Sequence, residues 1–260
     1  MPRREAWRVP GAAGWGGGGS PYQPPRGSRD APGGDMQPQR QRDQMITRDL
    51  RGRGIQDGRV LAAMSRVPRE AFVPEALAGA AYDDRPLPIE AGQTISQPYI
   101  VAWMAEAARL EPADRVLEIG TGSGYAAAVL ALLVRQVDTI ERVPELAASA
   151  RARLADLGMT NVQVRCSDGT LGWPVRASYD AILVAAGGPE VPRSLLAQLT
   201  LGGRLVMPIG THAAQRLVRV TRTGEHAYVR EDLGGVLFVP LIGAEGWAEP
   251  GRPDGDERSP

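Results

Sequence analysis

Three acidic residues stand at spacings that suggest one shared binding site. Glu118 lies just before a glycine-rich turn, Glu141 follows about twenty residues after that turn, and Asp168 ends a further apolar segment. A carboxylate after the second strand can accept hydrogen bonds from both ribose hydroxyls, and one after the third can accept a bond from an adenine amino group. Acids at strand ends also cap helices, but three in this order favour an adenosine-containing ligand.

The glycine-rich turn predicts a close approach between backbone and ligand. It consists of Gly120, Thr121, Gly122, Ser123 and Gly124. Alternate glycines allow a sharp turn and leave no Cβ between chain and ligand. The run also matches a dinucleotide-binding pattern, but that version directs helix N–H groups at a pyrophosphate and needs no acid on the strand. Glu118 therefore favours a cationic ligand such as S-adenosylmethionine, with its sulfonium and amino groups.

The elements around the turn alternate between strand and helix. Val116, Leu117 and Ile119 form the apolar part of a short strand, and the alanine- and leucine-rich run 126–134 predicts a helix. Downstream, strands are predicted at 136–140, 161–166, 179–186 and 204–208, and helices at 144–157 and 193–199. This alternation predicts a mostly parallel, doubly wound α/β sheet whose ligands lie at the carboxyl ends of the strands.

The two ends of the domain add to this core differently. Segments 216–221, 227–230 and 236–241 follow one another without helices between them, so antiparallel strands are expected at one end of the sheet. From Gln44 onward, apolar residues at helical spacing predict helices that pack on the main domain. Pro98 suits the first turn of another helix, because its missing N–H needs no partner there.

Composition divides the chain into three parts. The first part is rich in glycine, proline and arginine and has little apolar periodicity, which predicts disorder. The expected parts are a disordered leader (1–43), a main domain (44–247) made of a helical part (44–110) and a Rossmann-like core (111–247), and a flexible tail (248–260). A translation start at Met36 or Met45 is a further hypothesis.

Composition also limits the class of partner. The 260 residues are 43% hydrophobic, enough for one core, and 30 basic residues balance 30 acidic ones. This balance favours neither nucleic acid nor a membrane surface as a partner. With Cys166 as its single cysteine, the chain cannot form an internal disulfide. We expect a cytoplasmic protein without a metal site, with Cys166 buried and His212 and His226 on the surface.

A polar loop at 92–98 carries the most specific signal. Its sequence, Gly-Gln-Thr-Ile-Ser-Gln-Pro, at this distance before the glycine turn, resembles the protein-L-isoaspartate (D-aspartate) O-methyltransferase family. Glycine-rich turns occur across all S-adenosylmethionine-dependent methyltransferases, whereas this loop is typical of the one family. The resemblance covers residues 46–247 and is also carried by segments 54–57, 67–73, 116–125 and 238–241.

The resemblance implies a Rossmann-like class I fold and a repair activity. The methyl group of S-adenosylmethionine passes to the free α-carboxylate of an L-isoaspartyl residue in an age-damaged protein, and the ester collapses to a succinimide that can reopen as aspartate. The resemblance implies Ser96 as the active-site residue, and a substrate frame of Thr94, Ile95, Val239 and Pro240. The cofactor-binding set is Glu118, Gly120, Thr121, Gly122, Ser123, Gly124, Glu141, Asp168 and Gly169. We expect a monomer.

The chemistry needs few residues. The nucleophile is a carboxylate that is already ionised at neutral pH, and the leaving group is a neutral thioether, so no general base is required. Ser96 can hold one carboxylate oxygen while the other faces the methyl carbon, and such alignment can supply several kcal/mol.

Two alternatives remain open at this point. One is a class I methyltransferase with another acceptor, although an amino methyltransferase would place an Asn/Asp-Pro-Pro-aromatic run where this chain has residues 185–190. The other is an inactive cofactor-binding module whose working part is the leader. Gly187 and Gly188 stand where alanine and proline are expected, which leaves the shape of the acceptor pocket open. Trp247 either closes over the cofactor or anchors the chain.

Overall fold

A computed structural model describes residues 4–7 and 36–249, and within these ranges eight strands form one central sheet. With a separate pair, the described residues contain ten strands: β1 (Arg4–Trp7), β2 (Leu87–Pro88), β3 (Thr94–Ile95), β4 (Arg115–Ile119), β5 (Gln136–Glu141), β6 (Val162–Cys166), β7 (Tyr179–Val184), β8 (Leu199–Gly210), β9 (Gln215–Arg222) and β10 (Tyr228–Val236). The sheet has the order β1-β10-β9-β8-β7-β4-β5-β6, and β2 pairs separately with β3.

Some of the helices come before strand β4 in the chain, and the others lie between successive strands of the sheet. They are α1 (Met36–Gln44), a π-helical segment (Met45–Leu50), α2 (Gly58–Arg66), α3 (Pro98–Ala107), α4 (Tyr125–Ala131), α5 (Pro144–Asp156) and α6 (Arg193–Ala197). Short 3-10 turns occupy Arg51–Arg53, Arg69–Phe72, Glu75–Ala80, Glu90–Gly92, Gly169–Leu171 and Pro174–Arg176. Among the residues described, no helix is both long and apolar enough to cross a membrane.

The parallel half of the sheet carries the site. β4 lies between β5 and β7, and β6 and β8 extend the parallel pairing on either side. Every residue of β4 is buried, as expected of a strand covered on both faces. The predicted doubly wound sheet is confirmed, and the carboxyl ends of β4, β5 and β6 lie side by side.

The other half of the sheet is antiparallel, as predicted, but one predicted strand is absent from it. β9 pairs with β8 and β10 pairs with β9, whereas residues 237–241 form no strand. The pairing of β10 ends where Val236 meets Gln215, the first residue of β9, so the chain beyond it has no neighbour to continue with. Pro240, which lacks an N–H, makes only an isolated bridge to Gly187.

The boundary between α6 and β8 also differs from the prediction. The helix ends at Ala197, and the strand begins at Leu199 rather than near residue 204. Leu199 is fully buried and pairs with Tyr179, and the pairing shifts register before it resumes at Ala181. Gly202, with a φ of 78°, turns the backbone inside the strand instead of preceding it.

Part of the predicted disordered leader is folded. Residues 36–43 belong to α1, and residues 4–7 pair with β10. The sequence of α1 is polar and lacks apolar periodicity, so tertiary contacts must hold it. Arg42 donates hydrogen bonds to the hydroxyl of Tyr82 (2.7 Å) and to Glu70 (3.2 Å). Residues 1–3, 8–35 and 250–260, which include most of the predicted leader and tail, lie outside the described residues.

Apolar packing joins the N-terminal helices to the sheet. Phe72, in the turn after α2, meets the ring of Tyr125 edge-on with 5.5 Å between ring centroids, and both side chains are fully buried. Each such burial stabilises the fold by about 1.5–3 kcal/mol. This contact fixes the segment before β2 against the helix that follows the glycine turn.

Candidate active site

The glycine turn between β4 and α4 has the backbone that the sequence predicts. Gly120, Gly122 and Gly124 have φ values of 92°, 52° and 91°, in the left-handed region that disfavours other residues. The amide of Gly120 donates to the carbonyl of Ile140 at the end of β5 (2.8 Å). The turn therefore lies against the carboxyl end of the neighbouring strand.

Glu141, the last residue of β5, fastens this turn. Its Oε2 accepts a hydrogen bond from the amide of Gly122 (2.9 Å), and its Oε1 accepts one from the amide of Val143 (2.9 Å). The side chain is almost completely buried and forms part of the wall of a cleft beside the turn. A carboxylate oxygen has more than one lone pair, so these bonds leave acceptor capacity for a ligand.

Glu118 lies beneath the turn in a chain of hydroxyl contacts. Its Oε2 accepts a hydrogen bond from the hydroxyl of Thr139 (2.6 Å), which lies 2.6 Å from the hydroxyl of Thr121. Burial raises the pKa of Glu118 from 4.5 to about 8; the charge of Glu141 adds to the rise, and the bond from Thr139 opposes it. Thr139 was not predicted, although the period of a strand places it on the same face as Glu141.

The two remaining residues of the turn face inward. Ser123 is buried, and its carbonyl accepts a hydrogen bond from Nη1 of Arg153 in α5 (2.7 Å). A Cβ on Gly124 would contact Leu154 of α5 at 3.4 Å. These two residues of the predicted cofactor set thus pack the turn against α5, and neither lines the cleft.

Asp168 stands at the end of β6, and its oxygens already have partners. Oδ1 accepts bonds from the amide and the hydroxyl of Thr170 (2.8 and 2.7 Å), and Oδ2 accepts one from the amide of Ala244 (2.8 Å). It therefore caps the turn that follows and holds the C-terminal segment. Gly169 lies in the cleft wall, where a Cβ would come within 2.4 Å of Ile119.

The cleft at these strand ends is open to solvent, and its empty space, with the adjoining solvent included, is about 590 Å³. Predicted residues line one side of it, namely Gly120, Gly122, Glu141 and Gly169, together with Thr94, Val239 and Pro240. The structure adds further lining residues, among them Arg142, Leu146, Ala185, Leu241 and Ile242. Glycines without side chains, a carboxylate and apolar walls fit a nucleoside that carries positive charge.

Ser96 lies beside the cleft, between β3 and α3. It is half-buried, and its hydroxyl makes no hydrogen bond to any residue in the part of the chain that the structure describes. Its carbonyl accepts a bond from Nη2 of Arg69 (2.8 Å). Ser96 lines a small, mostly apolar cavity that Glu118 also lines.

A wide groove of about 1390 Å³ opens on the other side of Ser96. Its wall includes Arg53, Tyr99, Trp103, His212 and Phe238. Thr94, Ala185 and Val239 line both the groove and the cofactor cleft. The cleft and the groove therefore meet next to the unpaired hydroxyl of Ser96. Ile95, also in the predicted substrate frame, is buried, so only its backbone can face a substrate.

The Ser96 loop is held by two residues that sequence reasoning missed. They are the buried Arg69, which bonds to the Ser96 carbonyl, and Asp84, which bonds to the residues that follow Ser96. Oδ2 of Asp84 accepts a bond from Nε2 of Gln97 (2.8 Å), and Oδ1 accepts one from the amide of Tyr99 (3.1 Å). Arg69 belongs to the segment 67–73 that carries the family resemblance, but its position among apolar residues did not reveal its contacts.

The segment 237–241 is held by Gly187 and Gln215. The amide of Gly187 donates to the carbonyl of Val239 (2.8 Å), and the buried amide group of Gln215 makes two hydrogen bonds to the backbone of Phe238 (2.8 and 3.1 Å). A Cβ on Gly187 would come within 2.4 Å of that amide group. The unexpected glycine therefore makes room for Gln215.

Three side chains outside the cleft can now be placed. Trp247 donates from Nε1 to the carbonyl of Gly187 (3.0 Å) and stacks on His212 with 4.2 Å between ring centroids, so it anchors the C-terminal segment. His212 is exposed, as expected, and His226 is partly so. The prediction of a buried Cys166 is wrong: the residue is exposed, because β6 is the edge strand of the sheet.

The strand order, with a ligand-sized cleft at the carboxyl ends of β4, β5 and β6, is that of a class I S-adenosylmethionine-dependent methyltransferase. A sequence model of the protein-L-isoaspartate(D-aspartate) O-methyltransferase family matches residues 40–246. The chain belongs to this family.

Relatives of similar length support the assignment. The protein-L-isoaspartate O-methyltransferase of Rhodopseudomonas palustris is 60% identical over 207 residues, which are 79% of this chain and 95% of the relative. Protein-L-isoaspartate O-methyltransferase 2 of Pelobacter propionicus is 61% identical over 207 residues, which are 79% of this chain and 92% of the relative.

Solved structures agree with the sequence comparison. One protein-L-isoaspartate O-methyltransferase superposes with a TM-score of 0.70 at 30% identity, covering 79% of this chain and 67% of the other. A putative protein-L-isoaspartate O-methyltransferase from Plasmodium falciparum, solved with S-adenosyl-L-homocysteine, gives a TM-score of 0.67 at 25% identity, covering 77% of this chain and 98% of the other.

Proposed function

We propose that the protein repairs damaged proteins by transferring the methyl group of S-adenosylmethionine to the free α-carboxylate of L-isoaspartyl residues. The ester formed then closes to a succinimide, which can reopen as aspartate. The observation that carries the proposal is the unpaired hydroxyl of Ser96 where the cleft meets the groove, in a chain of this family. When bound, S-adenosylmethionine supplies a methyl group attached to a sulfonium sulfur. Transfer of that methyl group leaves a neutral thioether.

The residues at the strand ends fit this cofactor. The backbone of Gly120 and Gly122 would contact it, Glu141 would accept hydrogen bonds from the ribose hydroxyls, and Asp168 with Gly169 would bind the adenine. Glu118 would offset the positive charge from beneath the turn. The lining of the cleft by Gly120, Gly122, Glu141 and Gly169 supports the roles of these four residues. Thr121, bonded in the Glu118 chain, and Ser123 and Gly124, packed on α5, act by holding the turn.

On the acceptor side, the protein aligns two groups that are already charged for reaction. An isoaspartyl carboxylate is ionised at neutral pH, so no side chain has to remove a proton. The hydroxyl of Ser96 donates a hydrogen bond to one carboxylate oxygen and leaves the other free to attack. The backbone of Thr94 and Ile95 and the segment with Val239 and Pro240 bind the flanking peptide. The groove beside Ser96, which includes Thr94 and Val239, supports this arrangement.

The decisive assay uses two synthetic peptides that differ only in an aspartyl or isoaspartyl linkage. With S-adenosylmethionine labelled in its methyl group, we expect label in the isoaspartyl peptide alone. Label in neither peptide, with cofactor binding intact, would instead indicate another acceptor or an inactive binding module. Equal label in both would mean that the linkage is not recognised.

The setting of the enzyme is a separate part of the proposal. We expect a monomer that acts in the cytoplasm on damaged proteins, without nucleic acid or a membrane as partner. The equal numbers of basic and acidic residues, 30 of each, support the absence of a polyanionic partner. Light scattering should give the mass of one chain, and a dimer mass at assay concentration would contradict the expectation.

A further inference from the structure

Arg69 is a buried cation with no counter-ion among the described residues. Its side chain is 0% exposed, and it forms no ion pair with any residue in the described ranges. The neighbouring Glu70 pairs with Arg42 instead. Burial lowers the pKa of Arg69, which is the sign of an ion removed from water. A buried charge without a counter-ion lowers the stability of a fold. The contacts of the Arg69 side chain indicate a function that offsets this cost.

The guanidinium of Arg69 joins two segments through their backbones. Nε donates to the carbonyl of Ala81 (2.7 Å), and Nη2 donates to the carbonyl of Ser96 (2.8 Å). The group also lies 4.6 Å from the centre of the Tyr125 ring. Nη1 is buried and has no hydrogen-bond partner among the described residues. The planar guanidinium fixes the direction of both bonds, which a lysine ammonium cannot do.

We infer that Arg69 is a positioning residue for Ser96: by holding the Ser96 carbonyl, it sets the direction in which the hydroxyl meets the acceptor carboxylate. This inference rests on the proposed function. The loop has little regular structure of its own, since β3 is only two residues long. Its contact with Arg69 therefore fixes the backbone at the residue whose orientation matters most.

Arg219 provides a matched control at the other end of α3. It is also a buried arginine that donates to a backbone carbonyl, that of Ala107 (2.9 Å), but it pairs with Glu231 (2.7 Å). Ala107 ends α3, whereas Ser96 precedes it. Arg219→Lys thus makes the same chemical change with no contact to the Ser96 loop.

The test is a double-mutant cycle between Arg69→Lys and Ser96→Ala. We expect Arg69→Lys to lower kcat about ten-fold when Ser96 is present and less than about two-fold in the Ser96→Ala background, because misalignment matters only if the hydroxyl is there. Cofactor affinity should stay within about two-fold of the wild type, and Arg219→Lys should lower kcat by less than about two-fold in both backgrounds. Equal losses from Arg69→Lys in both backgrounds, or no loss in either, would overturn the inference.

A second measurement separates this inference from the proposed function. Hydrogen exchange of segment 93–98, measured without substrate, should be faster in Arg69→Lys than in the wild type and unchanged in Arg219→Lys. If the wild-type enzyme labels no isoaspartyl peptide, the proposed function fails, yet this exchange still tests the contact. If segment 93–98 exchanges at the same rate in Arg69→Lys as in the wild type, the inference that Arg69 holds this loop is refuted. Arg69→Gln, which keeps one donor group, replaces the lysine variant if that does not fold.

Discussion

The cofactor cleft and the acceptor groove are built in different ways. One wall of the cleft consists of strand ends: Gly120, Glu141 and Gly169 each end or follow one of three adjacent parallel strands, so the register of the sheet brings them together. The groove combines the start of α3 with irregular segments around Ser96 and Phe238, and long-range hydrogen bonds from Arg69 and Gln215 hold those segments. The position of the cleft therefore follows from the fold, whereas the shape of the groove depends on a few side chains.

The largest expected effect separates the two regions. Ser96→Ala should lower the rate of methyl transfer about 100-fold while cofactor affinity stays nearly unchanged, because alignment of the acceptor is lost and the cleft is intact. Steady-state kinetics and calorimetry measure the two quantities. Ser65→Ala, which removes a hydroxyl bonded within α2, serves as the control. Parallel losses of rate and cofactor affinity would mean that Ser96 belongs to the cleft.

The complementary change acts on the cleft. Glu141→Ala should weaken cofactor binding by about 1–3 kcal/mol, the range expected when a charged hydrogen-bond partner is removed. Part of this loss comes from the amide of Gly122, which loses its acceptor. Calorimetry with S-adenosylhomocysteine measures it. An unchanged dissociation constant would show that Glu141 holds no part of the ligand.

A pH effect is expected for cofactor binding, through Glu118 beneath the glycine turn. The free protein holds Glu118 protonated below its pKa of about 8, and a bound cation favours the ionised form. Cofactor affinity should therefore rise with pH until about pH 8 and level off above it. The rise should be no steeper than about ten-fold per pH unit. Glu118→Gln should flatten this profile. A profile that is the same in the variant would assign the titration to another group.

Glu118 also affects the stability of the cofactor-free protein, which should fall as pH rises, whereas cofactor affinity should increase. Because its folded pKa is raised, Glu118 contributes stability that is fully present below the unfolded value near 4.5 and is lost as pH rises through about 8. Thermal unfolding of the cofactor-free protein should show this decline relative to Glu118→Gln.

The smallest effect is expected in the groove. Gly187→Ala places a Cβ within 2.4 Å of the Gln215 amide, which must move and release Phe238, at a cost of about 1–2 kcal/mol in stability. We expect a few-fold rise in KM for the peptide with cofactor affinity unchanged. Gly58→Ala adds the same methyl group where no atom lies within 4 Å. If both variants behave alike, Gln215 does not shape the groove.

The sequence predicts the strand ends beside the cleft better than the long-range contacts that hold the groove, for a physical reason. Apolar runs and glycines mark strand ends locally, so the positions of Glu118 and Glu141 follow from pattern and spacing. The contacts of Arg69 and Gln215 join residues far apart in the chain, and no local pattern encodes them. Ser96 was found through the resemblance of its loop to a family, not through periodicity.

The same limit explains the errors in the fold. α1 has a polar sequence and is held by Arg42, so composition alone suggested disorder. Residues 237–241 form no strand because β9 begins at Gln215, which already pairs with Val236. The sequence of residues 237–241 does not show where their partner strand begins. Both outcomes were decided by tertiary partners rather than by local preference.

The exposed position of Cys166 has a practical consequence. It is the single cysteine of the chain, and in the edge strand it pairs with Glu141, a residue of the cleft wall. A thiol-reactive fluorophore would therefore label this enzyme at one site without mutagenesis, close to where the nucleoside is bound. A change in its emission on cofactor binding would follow the occupancy of the cleft by S-adenosylmethionine or S-adenosylhomocysteine during turnover.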